Sequence, residues 1–296
     1  MSGQSLARRL AAYGELTKPT ITGMVLVSTA LGYYLSTKTT GAGWDPGLFL
    51  RLMLGAAFTA GGVATLNEYL ERHIDGNMRR TRGRPLPSGR LGPREALLFG
   101  LGISVAGLGI LTLTVHPLTG LLASITLVIY IGVYTPLKRH TAWNTAVGAV
   151  PGALPPIGGW VAASGTVPWG AWALFAILFF WQIPHFMAIA RIYRVDYARA
   201  GMIMLPGIDP SGRRTARVIT GSCAALLAGS LVPAYLGMTG WAYFFGAGLL
   251  GLILLAYGLS AGRRQGSGPA RRLLFASILY LPALLAMMVV DLELFP

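Results

Sequence analysis

Long apolar segments recur along the chain and alternate with short polar stretches that hold most of the charged residues. A helix that crosses a bilayer needs about 20 predominantly apolar residues. Segments of that kind fall at nine positions: 20–36, 48–70, 95–115, 118–136, 145–163, 169–190, 216–236, 241–260 and 272–290. The pattern therefore predicts nine transmembrane helices, and we expect residues 1–296 to form a single all-α membrane domain.

The composition agrees with a membrane protein and excludes several other classes. Hydrophobic residues make up 54% of the 296 positions, charged residues only 11%, and the mean hydropathy is +0.59, which does not suit a compact soluble domain. The one cysteine, Cys223, excludes an intramolecular disulfide and a cysteine-rich metal cluster. Residues 1–19 contain no small-residue cleavage site after a short apolar core, so they predict a retained cytoplasmic lead-in.

Basic residues fall almost entirely on one side of the predicted helices. Of the 24 lysines and arginines, 22 lie in the N-terminal segment or in the even-numbered loops. The positive-inside rule then places the N-terminus and these loops in the cytoplasm and the C-terminus outside the inner (plasma) membrane. The net charge of +14 reflects this topology and attraction to anionic membrane lipid. Nucleic-acid binding is not expected, because the sequence predicts no compact basic domain.

Three polar side chains at the end of the second apolar segment, Asn67, Glu71 and Asp75, follow an i, i+4, i+8 spacing. On a helix they form one stripe, and each acid would cost up to about 3 kcal/mol at the bilayer centre. Oxygen ligands of this kind suit Mg²⁺ that substrate phosphates complete, and arginines downstream can bind the same phosphates. The stripe therefore predicts a diphosphate site with a bridging metal. The alternative is a solvated, interfacial helix end.

A second acidic segment carries Asp196 among basic and aromatic residues: Tyr193, Arg194, Tyr197 and Arg199. By the charge count it lies on the same side of the membrane as Asp75. Two acidic centres on one side suit a two-metal site or a wide diphosphate clamp. We therefore expect the cytoplasmic loops 72–94 and 191–214 to form the active site. Prolines at 155, 156 and 184 predict kinks in the fifth and sixth helices around a cavity.

The segment N-E-Y-L-E-R-H-I-D at 67–75 resembles N-D-x-x-D-x-x-x-D, the first motif of the UbiA superfamily of intramembrane prenyltransferases, with glutamate at 68 and 71. The usual second motif, D-x-x-x-D, is half present, because Ala200 follows Asp196 at the second acidic position. Further segments are similar to one branch, the protohaem IX farnesyltransferases or haem O synthases: L-T-K-P at 16–19, M-x-R-T-x-x-R-P-L at 78–86, Y-T-P-L-K-R at 134–139, N-T-A-V-G-A-V-P-G-A-L-P-P-I-G-G-W at 144–160, W-Q-I-P-H-F at 181–186 and D-Y-A-R-A-G-M-I-M-L-P at 196–206.

The resemblance implies a bundle of nine transmembrane helices around a central cavity, the UbiA-type fold. It implies transfer of a farnesyl group from farnesyl diphosphate to a vinyl group of haem B, with Mg²⁺ as cofactor and haem B as a substrate. The product, haem O, would serve terminal oxidase assembly, with haem A synthase or oxidase assembly factors as candidate partners.

The resemblance also implies roles for individual residues. Metal ligands are expected at Asn67, Glu71, Asp75 and Asp196, with Glu68 as an alternative to Glu71, which helix geometry favours. Diphosphate ligands are expected at Arg79, Arg84, Lys138, Arg139 and Arg194. Further candidates are three tyrosines: Tyr130 and Tyr134, which could face a carbocation or simply anchor the helix at the membrane interface, and Tyr193, near Asp196.

His185 lies within an apolar span, next to Pro184 and one turn from Trp181. A neutral imidazole there must find a hydrogen-bond partner. One interpretation is a bond to a carbonyl freed by Pro184. Our hypothesis is that the free ring nitrogen ligates haem iron or orients the porphyrin so that one vinyl group faces the farnesyl cation.

Two other functions compete with this interpretation. An ion-coupled transporter would need acids near the bilayer midplane and an internal repeat, whereas all acids except Asp45, Asp291 and Glu293 fall at cytoplasmic helix ends or loops. A UbiA-type prenyltransferase acting on an aromatic quinone precursor is the runner-up. The W-Q-I-P-H-F segment and the single acid of the second motif argue against it.

Overall fold

The computed structural model describes residues 6–264 and 266–294, so residues 1–5 of the expected lead-in and both ends of the expected domain lie outside the described residues. In those ranges the regular elements are helices: α1 (Leu6–Leu16), α2 (Pro19–Thr40), α3 (Pro46–Asp75), α4 (Pro93–Val115), α5 (Pro117–Leu137), α6 (Asn144–Ser164), α7 (Trp169–Ile192), α8 (Arg194–Arg199), α9 (Leu205–Ile208), α10 (Arg213–Tyr235), α11 (Trp241–Arg263) and α12 (Ser267–Leu294).

Eight of the described helices are long and apolar enough to cross a membrane, namely α3, α4, α5, α6, α7, α10, α11 and α12. The ninth predicted span, 20–36, forms the 22-residue helix α2. Polar residues such as Ser28 and Thr29 lower the mean hydropathy of α2. Both side chains are satisfied within the helix, since each donates a hydroxyl hydrogen bond to the carbonyl of Val25. The all-helical bundle predicted from the sequence is confirmed.

Helix starts follow from proline and from side-chain capping. Pro19, Pro46, Pro93 and Pro117 each stand at the first turn of a long helix, where a missing N–H costs nothing. Asp45 caps α3 by accepting hydrogen bonds from the two backbone N–H groups of residues 47 and 48. These signals fix where the chain enters each span.

Three of the spanning helices depart from a regular α-helix. The last turn of α4 (Leu111–Val115) and a turn of α5 (Val128–Tyr134) are π-helical, and wide turns of this type occur frequently at functional sites. Helix α6 is interrupted at Leu154, directly before the proline pair at which a kink was predicted. Helix α7 continues across Pro184 as one element.

Helices α2 and α6 approach each other closely because two glycines lie in their contact. A Cβ atom added at Gly32 would lie 2.0 Å from the carbonyl oxygen of Pro156, and one added at Gly159 would lie 2.0 Å from that of Thr29. No side chain fits in either place. The contact holds α2 against α6, and both helices line the central cavity.

The N-terminal helix α1 lies on the loop between α3 and α4. Its buried residues Ala12 and Leu16 belong to one apolar cluster with Leu86, Leu91 and Ala96. Salt bridges join Arg9 to Glu95 at 2.8 Å and Arg90 to Glu15 at 2.7 Å. The described part of the lead-in is therefore an ordered helix that covers the second loop.

Candidate active site

A cavity of about 520 Å³ lies at the centre of the bundle and is lined by residues of α2, α3, α5, α6, α7 and α12. One end, which we call the polar end, is lined by charged and amide side chains: Lys18, Asn67, Glu71, Asp75, Arg80, Arg84 and Lys138. The interior is lined mainly by apolar side chains, among them Leu52, Leu122 and Leu285. The cavity can therefore bind an anion at one end and apolar groups along its length.

The acidic stripe of α3 faces the cavity as the helical spacing predicts. Asn67, Glu71 and Asp75 all line it, and they are 2%, 4% and 1% exposed. Glu68 is equally buried but does not line the cavity, so Glu71 is the glutamate that the cavity reaches. Helix α3 extends to Asp75 without interruption, which keeps all three side chains on one face.

Each member of the stripe contacts a cation from a different segment. Lys138 Nζ lies 2.7 Å from Glu71 Oε1, Arg84 Nη1 lies 2.7 Å from Asp75 Oδ2, and Lys18 Nζ donates to Asn67 Oδ1 at 2.9 Å. Arg84 Nε and Lys18 Nζ also approach Glu68 Oε1, at 3.6 and 3.9 Å. Buried charges need such partners, because an uncompensated ion in the bundle would cost several kcal/mol.

The pKa values of these cations reflect competition between burial and the neighbouring acids. Burial lowers the pKa of Lys18 to about 8, with Arg84 acting in the same direction and Glu68 and Glu71 opposing it. Burial alone would also lower the pKa of Lys138 and of Arg84, but the pKa of Lys138 is raised by Glu71 and that of Arg84 by Asp75. Lys138 and Arg84 are therefore held as cations.

The amide of Asn67 is oriented by the wide turn of α5. Thr135 donates its hydroxyl to the carbonyl of Tyr130 at 2.8 Å and accepts from Asn67 Nδ2 at 3.1 Å. The amide oxygen of Asn67 is then the atom that meets Lys18. Thr135 therefore fixes the Asn67 amide so that its oxygen, not its N–H₂ group, is directed to Lys18.

The stripe suits a hard cation such as Mg²⁺. Asp75 Oδ1 is buried and has no hydrogen-bond partner, and neither has Glu68 Oε2. The donor atoms are all oxygens, which Mg²⁺ prefers. Within 6–264 and 266–294, no three His, Cys, Asp or Glu side chains are grouped closely enough to hold a metal. The residues fit an ion whose coordination is completed by phosphate and water.

Three arginines expected at the diphosphate do not reach the cavity. Arg79, Arg139 and Arg194 are exposed, and none of them lines it. The four-residue spacing of the stripe cannot be continued to Arg79, because α3 ends at Asp75 and the chain turns. Arg139 follows Lys138 at the end of α5, and successive residues in a helical turn point in different directions.

The second acidic segment lies beside the cavity, not in its wall. Asp196 is 17% exposed, does not line the cavity, and has Arg199 Nη1 at 4.0 Å from its Oδ1. The next residue, Tyr197, does line the cavity and packs with Met78, Ala200 and Met202. Helix α8 therefore contributes to the mouth of the polar end through Tyr197, and Asp196 is adjacent to it.

Sequence reasoning missed Lys18, Arg80, Asn144 and Tyr197, all of which line the cavity. A signal was available for two of them. Lys18 directly precedes α2, where the helix dipole disfavours a cation, and this position before Pro19 can be read from the sequence. In the structure, Lys18 is also the only non-glycine residue with positive φ (48°) among the described residues. Arg80 and Arg84 are the two arginines that the M-x-R-T-x-x-R-P-L segment specifies, whereas position 79 is unspecified in it.

Two tyrosines of α5, Tyr130 and Tyr134, belong to the wall of the cavity. The rings of Tyr130 and Tyr134 meet edge to face with centroids 4.9 Å apart, and both line the cavity. Lys138 Nζ lies 4.4 Å from the centroid of the Tyr134 ring, so this tyrosine already contacts a cation. Tyr193 lies outside the cavity, with the guanidinium of Arg80 5.4 Å from its ring centroid.

His185 lines the interior of the cavity from α7. Its ring stacks on Trp181 with centroids 4.9 Å apart, and Nδ1 lies 2.9 Å from the hydroxyl oxygen of Ser277 on α12. The hydrogen-bond partner is therefore a serine, and the alternative of a carbonyl freed by Pro184 is not observed. The other ring nitrogen, Nε2, makes no hydrogen bond to the residues that the structure describes.

Comparison with known protein families finds that residues 25–279 match the UbiA prenyltransferase family. The chain is 46% identical over 286 residues to a protohaem IX farnesyltransferase of Solibacter usitatus, covering 94% of this chain and 98% of the relative. It is 43% identical over 287 residues to the protohaem IX farnesyltransferase of Opitutus terrae, covering 96% and 95%.

Solved structures share the fold at low sequence identity. The structure of a digeranylgeranylglyceryl phosphate synthase superposes with a TM-score of 0.79 at 16% identity, covering 96% of this chain and 98% of that one. A UbiA homologue from Archaeoglobus fulgidus bound to GPP and Mg²⁺ gives a TM-score of 0.63 at 16% identity, covering 94% and 99%. These likenesses support the arrangement of helices around the cavity.

Proposed function

Because this chain belongs to the UbiA prenyltransferase family, we propose that it transfers the farnesyl group of farnesyl diphosphate to a vinyl group of haem B. The products are haem O and diphosphate. Two relatives that cover nearly the whole chain at 46% and 43% identity are protohaem IX farnesyltransferases. The observation that carries the proposal is a single cavity lined by the polar end at one side and by His185 in its interior.

The polar end binds and stabilises the diphosphate. Lys18, Arg80, Arg84 and Lys138 all line it and supply the positive charge on which the leaving group depends. When diphosphate enters, Lys138 and Arg84 exchange Glu71 and Asp75 for phosphate oxygens. Charge that develops on the leaving oxygens is then met by donors already in place, which lowers the barrier to breaking the allylic C–O bond.

Asn67, Glu71 and Asp75 hold Mg²⁺ through their side-chain oxygens. A related prenyltransferase-fold protein has been solved with GPP and Mg²⁺ bound. When bound, Mg²⁺ would supply Lewis-acid stabilisation of the diphosphate, and Glu71 and Asp75 would be its carboxylate ligands once Lys138 and Arg84 turn to the substrate. Asp196 lies beside Tyr197 and outside the cavity wall, and it would serve as a further ligand only by turning toward the bound diphosphate.

The interior of the cavity receives the hydrocarbon and the porphyrin edge. The farnesyl chain lies along apolar side chains such as Leu52 and Leu122, and Tyr130 faces the allylic cation with its ring. His185 holds the haem through its iron or porphyrin, so that a vinyl group meets C1 of the farnesyl group. Water then adds to the resulting cation, and loss of a proton to solvent gives the hydroxyethylfarnesyl substituent.

The charge distribution supports an orientation with the polar end in the cytoplasm and the C-terminus outside. Ser88 and Thr40 are exposed, and Thr40 is at the far end of α2 from the polar end. In a Cys223→Ser background, Ser88→Cys should react with an impermeant thiol reagent only from the cytoplasmic side and Thr40→Cys only from outside. The reverse pattern would overturn this orientation.

The proposal is tested by incubating purified protein with haem B, farnesyl diphosphate and Mg²⁺ and analysing the products by mass spectrometry. Haem O should form, and Glu71→Gln should form none above background. The same protein should be offered 4-hydroxybenzoate in place of haem B. Prenylated benzoate without haem O would establish the runner-up, a prenyltransferase acting on a quinone precursor.

A further inference from the structure

A hydrogen bond between His185 and Ser277 links the cavity to α12, a helix outside all of the family motifs. Ser277 belongs to α12, is fully buried (0% exposed), and does not line the cavity itself. Its hydroxyl oxygen lies 2.9 Å from His185 Nδ1, and its backbone carbonyl accepts a hydrogen bond from Trp181 Nε1 at 2.7 Å. One residue of α12 therefore contacts both stacked rings of α7.

The direction of the hydrogen bond to His185 follows from the other bond that Ser277 makes. A serine hydroxyl has one hydrogen, and Ser277 donates it to the carbonyl of Leu274 at 2.7 Å. The oxygen of Ser277 must then accept from His185, so the proton of the neutral ring is on Nδ1. Nε2 consequently carries a free lone pair, and it belongs to a side chain that lines the cavity.

The rings cannot easily reorient. Trp181 stacks on His185 at an interplanar angle of 26°, and the ring of Phe186 meets it edge-on with centroids 5.8 Å apart. Because Trp181 is itself fixed by the carbonyl of Ser277, the stack and the imidazole share one anchor. A histidine that serves as a metal ligand is commonly held this way, with one nitrogen bonded to the protein and the other free.

We propose that Ser277 is a positioning residue that fixes His185 as the Nδ1–H tautomer and presents Nε2 to the haem substrate. This inference rests on the proposed function for the identity of the ligand, but the tautomer is a property of the ligand-free protein. It assigns α12, which carries none of the family motifs, a part in the reaction. Without the Ser277 hydroxyl, either ring nitrogen could hold the proton, and fewer molecules would offer a lone pair to iron.

The tautomer can be measured directly by ¹⁵N NMR of histidine-labelled protein in lipid nanodiscs. The chain has four histidines, and the signals lost in His185→Gln identify those of His185. We expect a protonated Nδ1 and an unprotonated Nε2 in the wild type, and a mixture of both tautomers in Ser277→Ala. A matched control is Ser230→Ala, which removes another fully buried hydroxyl, bonded to Tyr280 on α12, and should leave the His185 signals unchanged.

A second readout is titration of haem B, followed by the Soret band. Loss of an outer partner of a metal-bound histidine typically costs about 10- to 100-fold in affinity, and we expect Ser277→Ala to fall in that range while Ser230→Ala binds as wild type. Wild-type protein with its proton on Nε2 would overturn the proposal, and this holds even if Ser277→Ala does not fold. Unchanged haem affinity and spectrum in Ser277→Ala would overturn it too. Failure of the proposed function would appear separately, as absence of haem O from the wild type.

Discussion

The polar end and the interior of the cavity are built from different interactions. At the polar end, Glu71 and Asp75 are each compensated by a cation, Lys138 and Arg84, at 2.7 Å, and Lys18 and Arg80 leave the site with an excess of positive charge. In the interior, His185 is held only by a serine hydroxyl and by aromatic stacking. Charged groups therefore line the end at which we propose that the diphosphate binds, and neutral groups line the interior in which we propose that the farnesyl chain meets the vinyl group of haem.

The difference teaches how one cavity can serve two substrates. Ion pairs in the polar end can exchange partners, because diphosphate and Mg²⁺ bring the same charges that the side chains already contact. The interior has no such exchange to make, and it depends on shape and on one imidazole lone pair. Substitutions at the polar end should therefore affect diphosphate binding and bond breaking, whereas substitutions in the interior should affect haem.

The largest effect is expected from neutralising the acidic stripe. Glu71→Gln and Asp75→Asn each remove a carboxylate that we propose as a ligand of Mg²⁺, so single-turnover formation of haem O should fall by about 10²–10³-fold or more. Glu95→Gln, which weakens an exposed pair with Arg9 and the cap at Gly92, both outside the cavity, should remain near wild type. If both stripe variants keep more than a tenth of wild-type activity, the assignment of the stripe is wrong. Glu71→Asp should be mild.

A matched pair of neighbours tests the cations of the polar end. Lys138→Ala removes the partner of Glu71 and a cation that lines the cavity, so the rate should fall by about 10²-fold. Arg139→Ala changes an exposed residue outside the cavity and should alter it little. Both rates can be measured at saturating farnesyl diphosphate. Equal losses in the two variants would contradict the placement of the diphosphate beside Lys138.

Asp196 tests where the polar end stops. Asp196→Asn removes the ligand that we propose at the mouth while the stripe stays intact, so loss of rate at limiting Mg²⁺ should be about 10- to 100-fold. Raising the Mg²⁺ concentration should restore most of it. The loss in Asp75→Asn should not be restored in that way, because Arg84 then lacks its closest partner. A loss in Asp196→Asn that Mg²⁺ does not restore would rule out a metal-ligand role.

The smallest effect is expected at Arg80. This arginine lines the cavity but is itself exposed, so Arg80→Ala should raise the KM for farnesyl diphosphate by about tenfold, the equivalent of one charge-assisted hydrogen bond. Arg79→Ala should leave KM unchanged. The opposite ranking would show that the loop after α3 rearranges when substrate binds.

The acidic stripe could be predicted from sequence because its three residues share one helix. A spacing of four residues fixes their relative direction wherever the helix packs, and α3 extends to Asp75 without a break. The same reasoning fails beyond the helix end, as Arg79 shows. Loop residues take directions from turns and tertiary contacts that period alone does not contain.

The interior of the cavity was less predictable because it joins segments that are far apart in the chain. His185 was found through its cost of burial, but its partner Ser277 lies 92 positions away on another helix. Serines in apolar helices usually bond to their own backbone, as Ser222 does, and Ser277 also makes a bond of this kind, to Leu274. Nothing in the sequence distinguishes Ser277 from such a residue until α7 and α12 are packed together.

The division of the cavity into two ends is tested most directly by measuring two affinities in three proteins. Two ligands should be titrated into wild type, Asp75→Asn and His185→Ala. One is haem B, and the other is a farnesyl diphosphate analogue that keeps the charged diphosphate but whose allylic bond cannot break, added with Mg²⁺. We expect Asp75→Asn to lose affinity for the analogue and to keep haem binding. We expect His185→Ala to lose affinity for haem and to keep binding of the analogue. Equal losses of both ligands in either variant would contradict it.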